Sequence, residues 1–494
     1  MNARAHGIAW GCGAAMALGG CAVGPDYERP PMDLPERYRF AEESVATVNV
    51  TAAETPVVAT ASDEYWWSQI GDPTLDELIV VALSRNQDLL IATARVEEYY
   101  GRVMAARAGL FPQVGAEFGG GRQRLSNNGG SVIPIDNPFN QVRADVYASW
   151  EIDLFGRMRR LTEAARAEWA ASEQGRRATE VSVAAAVASA YITLRDLDNR
   201  LRIARETLVS REGALNVFRD RFQGGVVSEV EFSQSRSEYA SAQVSVEQFR
   251  QQVALQENLL AFLLGDNPRD IPRGKEIGEL VLPTVPMGLP SALLAQRPDL
   301  VQAEQSLVAA NARIGAARAQ YFPTISLTGL FGAASTALSG LWVGSAQMWS
   351  FGGVVSVPIF TAGAIAGDVR QAEARQAQAL HAYRQAIQTA FREVADALVS
   401  VQRTQGQLDA KNEQVNALSR YALLARDRYE GGYTSYLEVL DSERALFAAQ
   451  LDQSSLRGAE FGQLIQLYKA LGGGWPTGTG AQAGIEATTA AVKE

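Results

Sequence analysis

The sequence predicts a membrane protein of mixed α and β structure, built from an internal duplication, with two very long helical hairpins and four short strands. Three observations in its 494 residues lead to this fold class. Short landmarks recur in one order roughly 200 residues apart. Apolar residues recur every seven positions over long proline-free stretches, and other stretches alternate apolar with polar residues.

The duplication rests on four pairs of matching landmarks, two of them 211 residues apart and two 207 apart. They are Asp88-Leu89 with Asp299-Leu300, Phe111-Pro112 with Phe322-Pro323, Gly224-Gly225 with Gly431-Gly432, and Leu264-Gly265 with Leu471-Gly472. We assign repeat 1 to residues 71–265 and repeat 2 to residues 291–473. The connector 266–290 contains five prolines and is predicted to be extended, because proline cannot continue a helix.

The N-terminus has the pattern of a secretory signal. Residues 1–20 place basic Arg4 ahead of an apolar run that is too short to span a membrane. The tetrad that ends at Cys21 resembles a bacterial lipobox, so we expect lipid on Cys21; an ordinary signal with an incidental cysteine is the alternative. Residues 21–70 are then a lipid-anchored extended segment. The tail, 474–494, has no periodicity and is predicted to be disordered.

Each repeat contains one very long helix and a second helix that folds back. The long helix of repeat 1 lacks proline from Gly156 to Phe222. At ~1.5 Å per residue, a helix of that length is about 100 Å long. Its seven-residue apolar period, also present in repeat 2, marks a seam facing partner helices as in a coiled coil. The seam positions are Leu194, Leu201, Leu208, Leu215 and Phe222, and Leu380, Ile387, Val394, Val401, Leu408, Val415, Ala422 and Tyr429. Further helices are predicted at 229–264, 436–471, 75–110 and 293–321.

Period-two alternation predicts two pairs of strands. One pair starts at Gln113 and at Gln141, and the other covers 324–334 and 350–360. No charged residue lies between Arg318 and Asp368, so a transmembrane helix is the alternative there; the glycines and the period of two disfavour it. An open four-stranded sheet cannot sit in lipid, and known membrane barrels have at least ~8 strands. Several chains must therefore share one barrel.

Composition excludes several classes of function. The formal net charge of −10 argues against a nucleic-acid partner. Two cysteines and two histidines leave no basis for a disulfide scaffold, a zinc site or a Cys/His nucleophile pair. No convergent catalytic groups or phosphate-binding motif are legible, so we expect neither an enzyme nor a metal, and no cofactor beyond the covalent lipid on Cys21.

These features together resemble the outer-membrane factor (TolC-like) family, particularly the lipoprotein branch typified by OprM and NodT of RND-type efflux systems. The motifs are Cys21-Ala22-Val23-Gly24-Pro25-Asp26-Tyr27, Asp153-Leu154-Phe155-Gly156, and Arg426-Asp427-Arg428-Tyr429-Glu430-Gly431-Gly432, with the repeated Asp-Leu and Phe-Pro landmarks. The resemblance implies a homotrimer whose 12-stranded β-barrel, four strands per chain, is continuous with a long periplasmic α-helical coiled-coil barrel.

The resemblance also implies a periplasmic gate near the tip of the hairpins. Arg428 matches the family's gate arginine, Leu437 its constricting leucine and Asp441 its gate aspartate. Glu438 lies where some members carry a further acid, and Glu231 is its counterpart in repeat 1. Gln234 stands opposite Asp441, so only repeat 2 keeps the acidic pair. Solvated charges on a helix tip are the alternative interpretation of these residues.

The function implied is that of a passive exit duct for small molecules in the outer membrane of a Gram-negative bacterium, as the channel of a tripartite efflux pump with an iris-like gate. The implied partners are a periplasmic adaptor (membrane fusion) protein, an inner-membrane transporter of RND type, and outer-membrane lipid. Two alternatives stay open. One is a duct for secreted protein or peptide, and the other is a lipid-anchored periplasmic scaffold.

Overall fold

The computed structural model describes residues 22–32, 35, 37, 50–52, 61–126, 137–283, 285–287 and 293–473. The predicted signal peptide, Cys21 and the tail 474–494 lie outside the described residues. The chain divides into two compact units. The first runs through the residues up to Pro31, Arg95–Glu173 and Gln302–Arg384, and the second through Met32–Ala94, Gln174–Val301 and Gln385–Glu494.

The helices are α1 (Pro73–Arg85), α2 (Gln87–Ala108), α3 (Arg157–Gln223), α4 (Glu229–Leu263), α5 (Leu293–Gln296), α6 (Pro298–Ala319), α7 (Ala364–Glu430) and α8 (Tyr436–Ala470). The strands are β1 (Val50–Ala52), β2 (Gln113–Gln123), β3 (Phe139–Ile152), β4 (Val285–Met287), β5 (Thr324–Ser335) and β6 (Gln347–Ser356). A 3-10 helix covers Ala61–Ile70, and shorter ones cover Leu338–Gly340 and Gly344–Ala346. No helix among the described residues is long and apolar enough to cross a membrane.

The helices repeat with the predicted spacing. Helices α3 and α7 have 67 residues each and begin 207 residues apart. Helices α4 and α8 have 35 residues each and show the same spacing. Helices α2 and α6 have 22 residues each and begin 211 apart. The long helix of repeat 1 and both returning helices are thus confirmed to within a residue at each end, and the long helix of repeat 2 is confirmed from Ala364 to Glu430.

The predicted seam is buried along the middle of each long helix. Leu201 of α3 and Val394, Val401 and Leu408 of α7 are all less than a tenth exposed. At the hairpin tip the seam residue Phe222 is 38% exposed. Around Leu201 the seam packs against Val246 and Phe249 of α4 and reaches α8. Burial of this stripe holds the helices together, since helices gain most of their stability from a packed apolar face.

Two predicted single helices are each broken once, at equivalent places. Residues 75–110 form α1 and α2, separated by Asn86, and residues 293–321 form α5 and α6, separated by Arg297. Arg297 precedes Pro298, which disfavours helical backbone at the residue before it. Asn86 has no following proline; its backbone is extended, and its side chain accepts from the Leu89 N–H at 3.2 Å.

Each break is tied to the end of a returning helix. The Asn86 side-chain amide donates to the Leu263 carbonyl at 2.8 Å, and the Arg297 guanidinium donates to the Ala470 carbonyl at 3.0 Å. These carbonyls belong to the last residues of α4 and α8, where a helix leaves carbonyls without intrahelical partners. The same joint is therefore built twice, once with an amide and once with a guanidinium.

The four long strands form one antiparallel sheet in the order β2-β3-β5-β6. The register aligns one apolar face across all four, with Val146 opposite both Ala116 and Phe331, and Phe331 opposite Trp349. The opposite face carries Arg143 and Asp145, which pair with each other, and mostly small or hydroxyl side chains on β5 and β6. A two-sided sheet of this kind fits the alternation predicted from the sequence.

The bounds of β6 differ from the prediction of 350–360. The strand begins at Gln347 and ends at Ser356, because pairing with β5 stops at Thr324, which follows Pro323. Pro358 lacks the N–H that a further ladder bond would need. Ile359 and Phe360 therefore lie beyond the strand and are largely exposed.

A buried group of charges joins the two hairpins. Arg211 of α3 is 5% exposed; its guanidinium lies 2.9 Å from a Glu443 oxygen on α8 and 3.6 Å from a Glu238 oxygen on α4. The two carboxylates also pair with Arg426 and Arg444, whose side chains are about half exposed. One buried cation thus connects α3 to both returning helices near the tips.

We expect Gly265→Ala to destabilise the protein more than Gly225→Ala. Both glycines have positive φ, 78° and 71°, which costs an L-residue about 1–2 kcal/mol. A Cβ at Gly265 would lie 2.3 Å from the Arg85 carbonyl oxygen, whereas a Cβ at Gly225 meets nothing within 4 Å. Circular dichroism melts of the detergent-purified protein measure the difference. Equal melting shifts would contradict this account of the joint.

Arg211→Met should lower the apparent Tm far more than Arg428→Met. Removing Arg211 leaves two carboxylates without their buried cation, and breaking such a buried pair costs about 3–5 kcal/mol. Arg428 is more than half exposed, and exposed pairs contribute about 0–1 kcal/mol. The same melts compare the two variants. A Tm for Arg211→Met within error of that for Arg428→Met would show that the buried cluster contributes no stability.

Candidate functional site at the hairpin tips

Both long helices end at a glycine with positive φ. Gly225 and Gly432 have φ of 71° and 76°, and the residue after each donates its N–H, at 2.8 Å, to the carbonyl of Arg221 or Arg428. This is the bonding of a Schellman end, which satisfies carbonyls at the helix C-terminus and requires a left-handed residue. The Gly-Gly landmarks thus fix where each hairpin turns.

A small apolar cluster holds the tips together. Phe218 of α3 packs on Tyr436 of α8, with ring centroids 4.2 Å apart, and Val439 and Leu440 complete the buried group. Tyr429 of α7 lies against both aromatic rings. Burial, and then the nearby Glu443 carboxylate, raise the pKa of Tyr436 to about 12, so its hydroxyl stays protonated at physiological pH.

In the first hairpin the acidic residue caps a helix. Ser228 precedes α4 and accepts from the Glu231 N–H at 3.3 Å, while the Glu231 carboxylate accepts from the Ser228 N–H at 2.9 Å. This reciprocal capping box satisfies two backbone donors at the start of α4. Glu231 is thereby committed to its own helix.

In the second hairpin the equivalent acid has a different role. Glu438 lies 3.2 Å from the Arg428 guanidinium and accepts from the Thr434 hydroxyl. Ser435, which precedes α8, makes no side-chain cap bond. Residue 227, the counterpart of Thr434, is valine and offers no hydroxyl. Both repeats have a glutamate at this position, Glu231 and Glu438, but each glutamate makes different contacts.

Of the predicted gate residues, Arg428 and Glu438 meet, and the others do not join them. Leu437 is 59% exposed and Asp441 is exposed, one helical turn further along α8. Glu231 contacts Ser228 rather than this group. Because Tyr436, Val439 and Leu440 of the same helix are buried, Leu437 and Asp441 occupy its outward face within this chain.

Sequence reasoning missed two parts of the site. One is Thr434, which the comparison of Val227 with Thr434 between the repeats could have identified. The other is the buried Arg211 cluster. The counterpart of Arg211 in repeat 2 is Leu418, and no linear spacing connects Arg211 with Glu238 and Glu443.

Comparison with known proteins identifies the family. The outer membrane efflux protein family matches residues 78–266 and 289–473. The chain is 37% identical over 475 residues to the toluene efflux pump outer membrane protein TtgC of Pseudomonas putida, covering 94% of this chain and 95% of TtgC. It is 35% identical over 462 residues to the probable outer membrane lipoprotein SilC of Salmonella typhimurium, covering 93% of this chain and 96% of SilC.

A solved structure gives the same result. The MtrE outer membrane channel of Neisseria gonorrhoeae, described in its open state, matches with a TM-score of 0.77 and 33% identity, covering 92% of this chain and 99% of MtrE. The predicted fold class is confirmed: each chain contributes four strands to a trimeric β-barrel and long hairpins to a periplasmic helical barrel. The predicted location in the outer membrane is confirmed as well. The chain belongs to the outer membrane efflux protein family and is an outer-membrane channel of an efflux pump.

Proposed function

We propose that this channel is a passive exit duct for small molecules and that its resting state is closed at the hairpin tips by Arg428, Leu437, Glu438 and Asp441. The observation that carries the proposal is the Arg428–Glu438–Thr434 contact, which exists in only one of the two hairpins. An exposed leucine and an exposed aspartate lie beside it. Charged and apolar groups at one position are what a gate requires.

Three-fold symmetry gives this arrangement its electrostatic consequence. Three copies of Glu438 and Asp441 would approach one axis, where like charges repel and attract cations. Arg428, held on Glu438, offsets part of that repulsion and favours the closed state. Glu231 belongs to the same hairpin ends, where its capping contact fixes the start of α4. Its part is to hold the first hairpin rigid while the second moves.

Small molecules are the cargo that the relatives support. TtgC is named for a toluene pump and ArpC of Pseudomonas putida for an antibiotic pump. We infer that this channel serves apolar or amphiphilic compounds of that size, delivered by an inner-membrane transporter of RND type through a periplasmic adaptor. Secretion of protein or peptide through the same duct has no specific support in the described residues, and deletion of the gene distinguishes it from efflux.

A lipid on Cys21 would anchor the chain beside its sheet. Val23, two residues after Cys21, donates its N–H to the Phe155 carbonyl at 3.1 Å, just past the end of β3. The name of SilC, a probable outer membrane lipoprotein, supports the assignment. The lipid would add to the hold of the strands on the membrane.

Replacing Arg428 by alanine should raise the open probability of the trimer in planar bilayers. Each exposed Arg428–Glu438 pair contributes about 0.2–1 kcal/mol. Three copies then change the ratio of open to closed states between about threefold and a hundredfold. Asp441→Ala should lower the open probability if the arginines are kept, because it removes like-charge repulsion that the closed state must overcome.

Gln234→Ala is the matched control for Asp441→Ala, since residue 234 is the counterpart of 441 in repeat 1. Gln234→Ala should leave the open probability unchanged. If neither Arg428→Ala nor Asp441→Ala alone changes the open probability from that of the wild-type trimer, the gate assignment is wrong.

Deleting the gene should sensitise the parent strain to toluene-like solvents and amphiphilic antibiotics, and the wild-type gene should restore resistance. Minimum inhibitory concentrations measure both effects. The proteins in the culture medium should be unchanged by the deletion. A strain that loses a secreted protein but keeps its resistance would assign the duct to secretion instead.

Cys21→Ser should abolish incorporation of a clickable palmitate analogue into the protein. Cys12→Ser, which changes a residue of the predicted signal, should leave incorporation at the wild-type level. Label that persists in Cys21→Ser would place the lipid on another residue and contradict the assignment to Cys21.

A further inference from the structure

Two adjacent apolar side chains just beyond β6 are left uncovered. Ile359 is 96% exposed and Phe360 is 88% exposed, more than any other large apolar side chain among the described residues. They lie three and four residues past the end of β6, before α7 begins at Ala364. Adjacent apolar side chains that are this exposed mark a surface for contact with protein or lipid.

The internal duplication contains a covered version of the same feature. Leu154-Phe155 lies two and three residues past the end of β3, and Ile359-Phe360 lies three and four past the end of β6. Phe155 is only partly exposed, because its ring stacks on Phe322 with centroids 4.7 Å apart and planes at 23°. Phe322 lies two residues ahead of β5. The stack therefore closes the junction between β3 and β5, where repeat 1 meets repeat 2.

The counterpart of Phe322, Phe111, is 52% exposed, and the Arg107 guanidinium lies 5.7 Å from its ring centroid. Phe111 belongs to the matching Phe-Pro landmark and lies two residues ahead of β2. Strands β2 and β6 are the two edges of this sheet. When three chains share one barrel, β6 of one copy must pair with β2 of the next, because those are the strands with free backbone groups. This pairing has the same antiparallel sense as β3 with β5.

We propose that Phe360 of one copy stacks on Phe111 of the next, which repeats between chains the Phe155–Phe322 contact within a chain. The occupant of this exposed surface is thus a second copy of the same chain. Offset or edge-on aromatic pairs add about 0.5–1.5 kcal/mol beyond the area they bury. The pair lies at one end of the seam between subunits. It favours the pairing of β6 of one copy with β2 of the next.

The second junction has a longer link to its helix than the first. Phe155 is followed at once by Gly156, at φ 81°, while Thr361 and Ala362 separate Phe360 from Gly363, at φ 87°. The two extra residues let the Phe360 ring reach outward from its own chain. This proposal depends on the shared barrel and is independent of the gate at the hairpin tips.

The test is chemical cross-linking of Phe111→Cys combined with Phe360→Cys in isolated outer membranes. A short bifunctional maleimide reagent should convert most chains into covalent dimers and trimers on denaturing gels. When the two substitutions are placed on separate chains that carry different tags, each dimer should contain both tags. Phe155→Cys with Phe322→Cys is the matched control and should link only within one chain, which peptide mass spectrometry detects.

Two outcomes would overturn the proposal. One is monomeric Phe111→Cys/Phe360→Cys chains in membranes where the control pair links internally. The other is efficient linkage of Ile359→Cys, but not Phe360→Cys, to Phe111→Cys, since neighbouring side chains point in different directions.

Fluorescence separates a subunit contact from a lipid contact. Phe360→Trp keeps an aromatic ring, so the trimer should keep its heat-resistant migration on gels. Brominated lipids should quench the added fluorescence weakly if the neighbouring copy covers the ring. Strong quenching would assign the surface to lipid and reject the subunit contact.

Discussion

The unpaired edges of a four-stranded sheet are the constraint on which this structure depends. Strands β2 and β6 each pair on one side only within the described chain, and every ladder group left open in hydrocarbon costs several kcal/mol. One chain has no way to remove that cost by itself. Association with further copies is therefore part of folding, and the stability of the protomer is inseparable from that of the assembly. The apolar face shared by all four strands reinforces the same requirement.

The duplication shows which features the architecture demands and which it leaves free. The positive-φ glycines that end the long helices, and the joints at Asn86 and Arg297, are present in both repeats. The two joints differ in chemistry, an amide at Asn86 and a guanidinium at Arg297, but in each joint the side chain donates to the last carbonyl of a returning helix. Backbone satisfaction is thus conserved between the halves even where the residue type is not. The buried Arg211 cluster has no such counterpart, because residue 418 of repeat 2 is leucine. It links residues of both repeats.

Much of this architecture could be predicted from the sequence because the signals are periodic or repeated. The seven-residue period gave the seam around Leu201, and alternation gave the apolar face around Val146. The break at Pro298 was readable from the proline, but the break at Asn86 was not, because it depends on an amide meeting a carbonyl 177 residues away. The bounds of β6 depended on where its partner starts.

The site was predicted less completely than the fold. The family pattern located Arg428, Leu437, Glu438 and Asp441 at one tip, yet their pairing follows from local competition for Glu438. A carboxylate three residues into a helix can cap the helix or leave the cap for a cation. Thr434 and Arg428 supply the stronger set of donors in repeat 2, while Val227 leaves Glu231 to the cap. Side-chain competition of this kind has no period to detect.

This competition has a consequence for movement in the proposed gate. Three chains place six hairpins around the axis, and the two types alternate. The first type has its helix start closed by Ser228 and Glu231, whereas the second has left Ser435 without a side-chain cap and relies on an exposed ion pair. The ion pair joins two exposed charges and is weakened by salt and by any approaching charge, whereas the capping box joins one carboxylate to neutral donors and is weakened less. In the proposed gate we therefore expect the second hairpin of each chain to open more easily, with the buried Arg211 cluster as the fixed point behind both hairpins.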